Sequence, residues 1–224
     1  MDHSKLLSLI PRIGIVASVI FGFTYVSGQT MTARSSHFRL VHPQTVAVRD
    51  AHYILDLLEH NRSELLERVS NAGINVRFPN LDLIINATTG DFVARTGMPS
   101  WAAAATRKNK IELQPLALLK QRHILETTLR HELAHTLIDT LSNHQTPRWL
   151  AEGLAVYLAD EGKLLERYRS DNATSTETVE HSLTSPNSLT EMRTAYANAY
   201  ALVRKLIRTD GETTVWQRLA QRTP

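Results

Sequence analysis

The chain has 224 residues, a formal charge of +3 and no cysteine, a length that suits one domain with a real core. The missing cysteines exclude disulfides, thiol nucleophiles, cysteine-ligated metals and a lipid-modified cysteine. Lysine and arginine are scattered, with no basic run interleaved by aromatics, so no nucleic-acid partner is expected.

In chain order, Lys5 and Arg12 precede "IGIVASVIFGFTYVSG", 16 residues without a charge. A positive leader before an apolar stretch is the pattern of a signal peptide or an N-terminal membrane anchor, the expectation for residues 1–29. The stretch is shorter than a bilayer span of about 20 residues. Residues 6–10 extend it if Arg12 snorkels. Val26-Ser27-Gly28 would serve as a cleavage site, so cleavage and anchoring both stay open. Residues 30–224 are expected to be exported, in the periplasm or cell envelope, with the membrane as a partner where the N-terminal segment stays attached.

"HFRLVHP" (37–43) reads as a short strand stopped by Pro43. From about 45 to 69, Val48, Ala51, Ile54, Leu55, Leu58, Leu65, Leu66 and Val69 recur at helical spacing. Asn61 is a candidate break in that helix and Asn71-Ala72-Gly73 its stop. "LDLIIN" (81–86) reads as a buried strand, and "SWAAAATRKNKIELQP" (100–115) as two strands around a turn at 107–109, although alanine is poor strand material. Helices follow at about 117–141, 148–161 and 190–207. A polar segment, residues 170–186, joins the last two and reads either as a mobile lid over a cleft or as a plain surface excursion. The order implies an α+β fold: a small mixed sheet with an edge hairpin, followed by a helical half.

"LRHELAHTLIDTL" (129–141) carries the chemistry. His131 and His135 are four apart, hence on one helix face, where both imidazoles can reach one ion about 2 Å from each nitrogen. Glu132 lies about 100° around the helix and can face the open side of that ion without ligating, where a general base for water belongs. This is the His-Glu-x-x-His pattern of zinc hydrolases. The chain has ten histidines, so a chance match has to be weighed. Against chance, Leu129, Leu133, Ala134, Leu137, Ile138 and Leu141 make the helix largely apolar, and buried imidazoles without partners are costly. A metal supplies the partner.

A catalytic zinc takes three protein ligands and leaves a fourth position for water. Without cysteine the third is His, Asp or Glu. In "PRWLAEGLAVYLAD" (147–160), Pro147 suits a helix start and Trp149, Leu150, Ala155 and Leu158 suit a core. Glu152 is an isolated acid in that apolar run, and ligation gives it a reason.

His131-Glu-Leu-Ala-His135 followed by Trp149-Leu-Ala-Glu152-Gly-Leu-Ala-Val-Tyr157 resembles the gluzincins, whose third zinc ligand is a glutamate on the next helix. From about Phe38 onward the order of elements, with a late "AYANAYALVRKLI", resembles the bacterial peptidase MA-like family. The resemblance implies a zinc metallopeptidase domain over 30–224 with a gluzincin or thermolysin-like core. It implies Zn²⁺ on His131, His135 and Glu152, Glu132 as general base, and a peptide or protein substrate. Gluzincins commonly donate to the oxyanion from a Tyr or His on a late helix, which makes Tyr196 the first candidate and Tyr200 the second. "SWAAAATR" stands where thermolysin-like folds keep an edge strand that pairs with substrate.

The chain also departs from these families. The gap from His135 to Glu152 is shorter than in zinc aminopeptidases, and their G-x-M-E-N motif is absent, so an endopeptidase is expected. Thermolysin-like enzymes carry an aspartate four residues after the glutamate ligand; Val156 stands there, so Asp139 or a backbone carbonyl is expected to hold the second histidine nitrogen. Arg148 is expected in a surface salt bridge, with orientation of a substrate carboxylate as the alternative. His123 and His144 are expected to be solvated and Tyr157 to pack. The competing functions are a non-catalytic zinc-binding envelope scaffold and a zinc hydrolase of a non-peptide substrate.

Overall fold

The computed structural model describes residues 29–170, 175–184 and 186–221; the export signal or anchor expected at 1–29 lies outside them apart from Gln29. The elements are β1 (Thr30–Arg34), β2 (Phe38–Pro43), α1 (Val48–Ser70), β3 (Leu81–Ile85), α2 (Thr89–Thr96), β4 (Ala104–Arg107) and β5 (Lys110–Leu113). They continue with α3 (Leu116–Gln121), α4 (Leu125–Ser142), α5 (Arg148–Leu158), α6 (Gly162–Leu165), α7 (Thr176–Thr184), α8 (Leu189–Asp210) and α9 (Glu212–Ala220). This is an α+β fold, as the sequence implies.

The five strands form one mixed sheet in the order β1-β2-β3-β5-β4. β2, β3 and β5 run parallel, while β1 and β4 pair antiparallel at the two edges. Phe38, Leu40, Leu81, Leu83, Ile85, Ile111 and Leu113 are buried and belong to the same core as residues of α1 and α4. The strand period of two is what gathers them, since alternate side chains share a face.

Helix α1 runs unbroken through Asn61, which is buried together with Leu58 and Leu65 on the inward stripe. The expected break is absent because burial of the whole stripe outweighs one residue of weak helix propensity. The helix expected at 117–141 is instead two. Residues 120–123 are all exposed, so that turn has no apolar face to bury. The chain reverses there with His123 at φ 54 and restarts as α4. The hairpin is found at β4–β5, with Lys108 at φ 52 in its turn.

Five of the described elements were not anticipated: β1, α2, α6, α7 and α9. Helix α2 starts on a capping box in which Thr88 Oγ1 accepts from the Asp91 N–H at 3.1 Å while Asp91 Oδ2 accepts from the Thr88 N–H at 3.1 Å. Helix α7 lies in the polar segment 170–186; Val179 and Leu183 are buried against Ala195 and Ala199 of α8. Within that segment, residues Thr176–Thr184 form a helix docked on α8.

Helices α5 and α8 cross at very close range. A Cβ on Gly153 would lie 2.5 Å from the Ala199 carbonyl oxygen and 2.6 Å from Val203 Cγ2. Backbone cannot yield as a side-chain tip can, so Gly153→Ala should force the helices apart. The expected cost is about 1–3 kcal/mol, read as a lower midpoint in urea unfolding.

Candidate metal centre

The centre is assembled by three helices. Helix α4 contributes His131 and His135, one turn apart, and α5 contributes Glu152 from a face where Leu150, Leu154 and Ala155 are also buried. His131 and Glu152 are each only 7% exposed, too buried for their polar atoms to rely on water. Their ligand-type atoms form a triangle. His131 Nε2 is 3.1 Å from His135 Nε2, and Glu152 Oε2 is 3.5 Å from the first and 3.2 Å from the second. Donors about 2.0–2.1 Å from a tetrahedral ion stand roughly 3.3–3.4 Å from one another, so the triangle has the size one such ion needs. Glu152 Oε2 is also a buried oxygen with no hydrogen-bond donor. The three residues form a group that could hold one metal ion.

Electrostatics favour a cation there. Burial alone would lower the pKa of His131, but the charge of Glu161 and the carboxylates of Glu152 and Glu161 beside its two ring nitrogens outweigh it and raise it well above the usual value. Burial would raise the pKa of Glu152, yet the two imidazoles hold it far below the usual carboxylate range. The carboxylates around the two imidazoles make the pocket one that favours positive charge, which a divalent ion at the same atoms would supply.

His131 is held from behind by a residue the sequence did not reveal. Its Nδ1 is 2.9 Å from Glu161 Oε2. The turn after α5 brings Glu161 back: Asp160 adopts φ 57, and the Glu161 N–H donates to the Val156 carbonyl at 3.1 Å. Asp139, expected in this role, instead pairs with the exposed His144 at 3.2 Å. His144 therefore has a carboxylate partner, while His123 sits exposed on the α3–α4 turn.

Glu132 is half-buried and stands apart from the triangle. Its Oε2 accepts from Thr106 Oγ1 on β4 at 2.5 Å, which ties the helix to the sheet edge. Tyr196 of α8 stacks on the His131 ring, with centroids 5.9 Å apart. Burial and the charges of Glu152 and Glu132 raise the pKa of its hydroxyl well above the usual value, so it remains an O–H donor at neutral pH. Tyr200 is elsewhere, packed over Gly162, where a Cβ would sit 2.1 Å from its Cζ. Of the two candidate tyrosines, Tyr196 is the one at the centre.

Arg148 faces Glu152 rather than a surface acid, its Nε 3.7 Å from Oε1. Tyr157 packs as expected, and its hydroxyl donates to Glu212 at 2.9 Å. Glu180 of α7 accepts the free N–H groups of Arg148 and Trp149 at 3.1 and 2.8 Å, capping the N-terminus of α5. No local signal announces that cap, because its partners are 31 residues apart in the chain.

No protein-family model matches the sequence, and no curated protein is similar enough to it to count as a relative.

One divalent ion per chain is expected by elemental analysis, lost in His131→Ala, His135→Ala and Glu152→Ala. Glu161→Gln should keep the stoichiometry but weaken the affinity about 10- to 100-fold in competition with a chromogenic chelator.

Proposed function

We propose that the chain is an exported zinc-dependent endopeptidase with a gluzincin-type centre, related to the bacterial peptidase MA-like proteins. One observation carries the reading. Glu132 is not one of the three ligand-type residues, yet its charge acts on His131 and on Tyr196, and it is hydrogen-bonded to an edge strand. A purely structural metal site has no use for an unligated acid at that point.

Zinc held by His131, His135 and Glu152 would polarise the scissile carbonyl and lower the pKa of water to about 7. Glu132 accepts the proton of the attacking water and delivers it to the leaving amine, so the water's hydroxyl ends on the acyl carbon and its proton on the nitrogen. Tyr196 donates its hydroxyl proton in a hydrogen bond to the carbonyl oxygen as negative charge develops there. Glu161 fixes His131 so that Nε2 is presented to the ion.

A peptide substrate is supported by β4. Gln114 N–H bonds to the Ala103 carbonyl, and the antiparallel register runs from Ala104–Leu113 to Arg107–Lys110. Hydrogen-bonded pairs alternate along such a ladder, so the backbone groups of Ala104 and Thr106 face the open edge. An extended peptide can add there as a further strand, next to Glu132. Small side chains at Ala102 to Ala105 leave room for its approach. The export part of the proposal rests on the leader within residues 1–29.

Glu132→Gln keeps the shape but cannot take the proton. Zinc content should hold while hydrolysis of unfolded protein falls by roughly 100-fold or more; near-normal turnover in this variant would sink the mechanism. Tyr196→Phe should lower kcat by roughly 10- to 1000-fold with KM and zinc nearly unchanged, and Tyr200→Phe should leave kcat alone.

A further inference from the structure

We infer that Arg148 recognises a carboxylate of the substrate close to the scissile bond, so that the preferred substrates are peptides carrying an acidic side chain there or a free C-terminus. The inference rests on the peptidase reading and names its substrate class.

The sole carboxylate neighbour of the Arg148 guanidinium within 4 Å among the described residues is Glu152, at 3.7 Å from Nε. That is beyond hydrogen-bond range, and the Arg148 side chain donates no hydrogen bond to any described residue. A fork of N–H donors suited to bidentate carboxylate binding is left uncommitted. The side chain is 48% exposed, so an incoming group can reach it.

Its backbone is nonetheless held in place. Arg148 opens α5 directly after Pro147, and Glu180 of α7 holds its backbone N–H. Two acids lie next to it: Glu152 on its own helix and Glu180 from α7, which takes its backbone N–H. Among the described residues Arg148 is the one arginine or lysine within 4 Å of a carboxylate of the centre. Its charge also reaches the Tyr196 hydroxyl. A group that pairs with Arg148 therefore lies alongside Tyr196 and Glu152, where the reacting bond would sit.

A plainer role would be to neutralise Glu152. The two differ in what they predict for substrates. Neutralisation acts on every peptide alike, whereas recognition acts on the peptide's charge.

The test uses the full-length, zinc-loaded chain and matched peptides that differ at one residue beside the cleaved bond (Glu, Gln or Lys), each with a free or an amidated C-terminus. The wild type should favour the carboxylate-bearing members by about 10- to 100-fold in kcat/KM, mostly through KM. R148Q should level the series with zinc content unchanged, R148K should keep part of the preference, and R148E should turn it towards Lys. A preference for Glu over Gln in amidated peptides assigns the side chain; a preference for the free terminus over the amide assigns the C-terminal carboxylate. Direct binding gives a readout apart from turnover: E132Q should bind labelled Glu peptides more tightly than Gln peptides in fluorescence anisotropy, and E132Q/R148Q should bind both equally. If R148E does not fold, R148K and the anisotropy comparison decide. Hydrolysis without a charge preference, a preference that survives R148Q, or a uniform fall on all peptides would each overturn the role of Arg148 while leaving the peptidase intact. No hydrolysis of any peptide by the zinc-loaded chain would overturn the peptidase reading and this one with it.

Discussion

A carboxylate on an otherwise apolar, buried helix has to be met by something, and the helical half of this protein is organised around meeting Glu152. Helix α4 brings two imidazoles to one of its oxygens and α8 brings a tyrosine hydroxyl. The approach of α8 needs Gly153, since any side chain at that position would collide with the Ala199 backbone. Helix α7, though drawn from a polar stretch, anchors the start of α5 through Glu180. Each of these features is weak alone. Together they fix one oxygen atom within a few ångströms of two nitrogens, in surroundings too dry to leave it unpartnered.

Three carboxylates lie around His131, and their different surroundings suit different work. Glu152 is buried against both imidazoles and stays ionised. Glu161 reaches the far nitrogen of His131 and sets which nitrogen faces forward. Glu132 is held by a neutral hydroxyl on the sheet edge rather than by a cation. Under the proposed reaction these become ligand, holder and base.

The parts of this arrangement that could be read in the sequence are those encoded locally or by exception. The His131–His135 spacing is a property of one helix turn, and Glu152 stood out as a charge in an apolar run. The β4–β5 hairpin was legible from its turn, and the sheet-then-helices order gave the α+β class. Glu161 and Glu180 were not legible, because each finds its partner 30 or 31 residues away through tertiary packing. The same reason hid α7, whose two buried residues, Val179 and Leu183, make sense only once α8 is beside them. Asn61, a candidate break, and the turn at His123 are complementary cases: a polar residue is buried by its neighbours in the first, and a polar turn has nothing to bury in the second. The capping box at Thr88 and Asp91 is local and lies in the chain itself.

Among the described residues the sheet ends in two edge strands at opposite ends. Strand β1, which continues directly from the N-terminal segment, forms one; β4, beside Glu132, forms the other. Four strand spacings separate them, roughly 19 Å across the sheet. Under the proposal that the segment ahead of Thr30 is an anchor, the attachment would join the sheet at β1, at the other end of the strand order from the edge by Glu132.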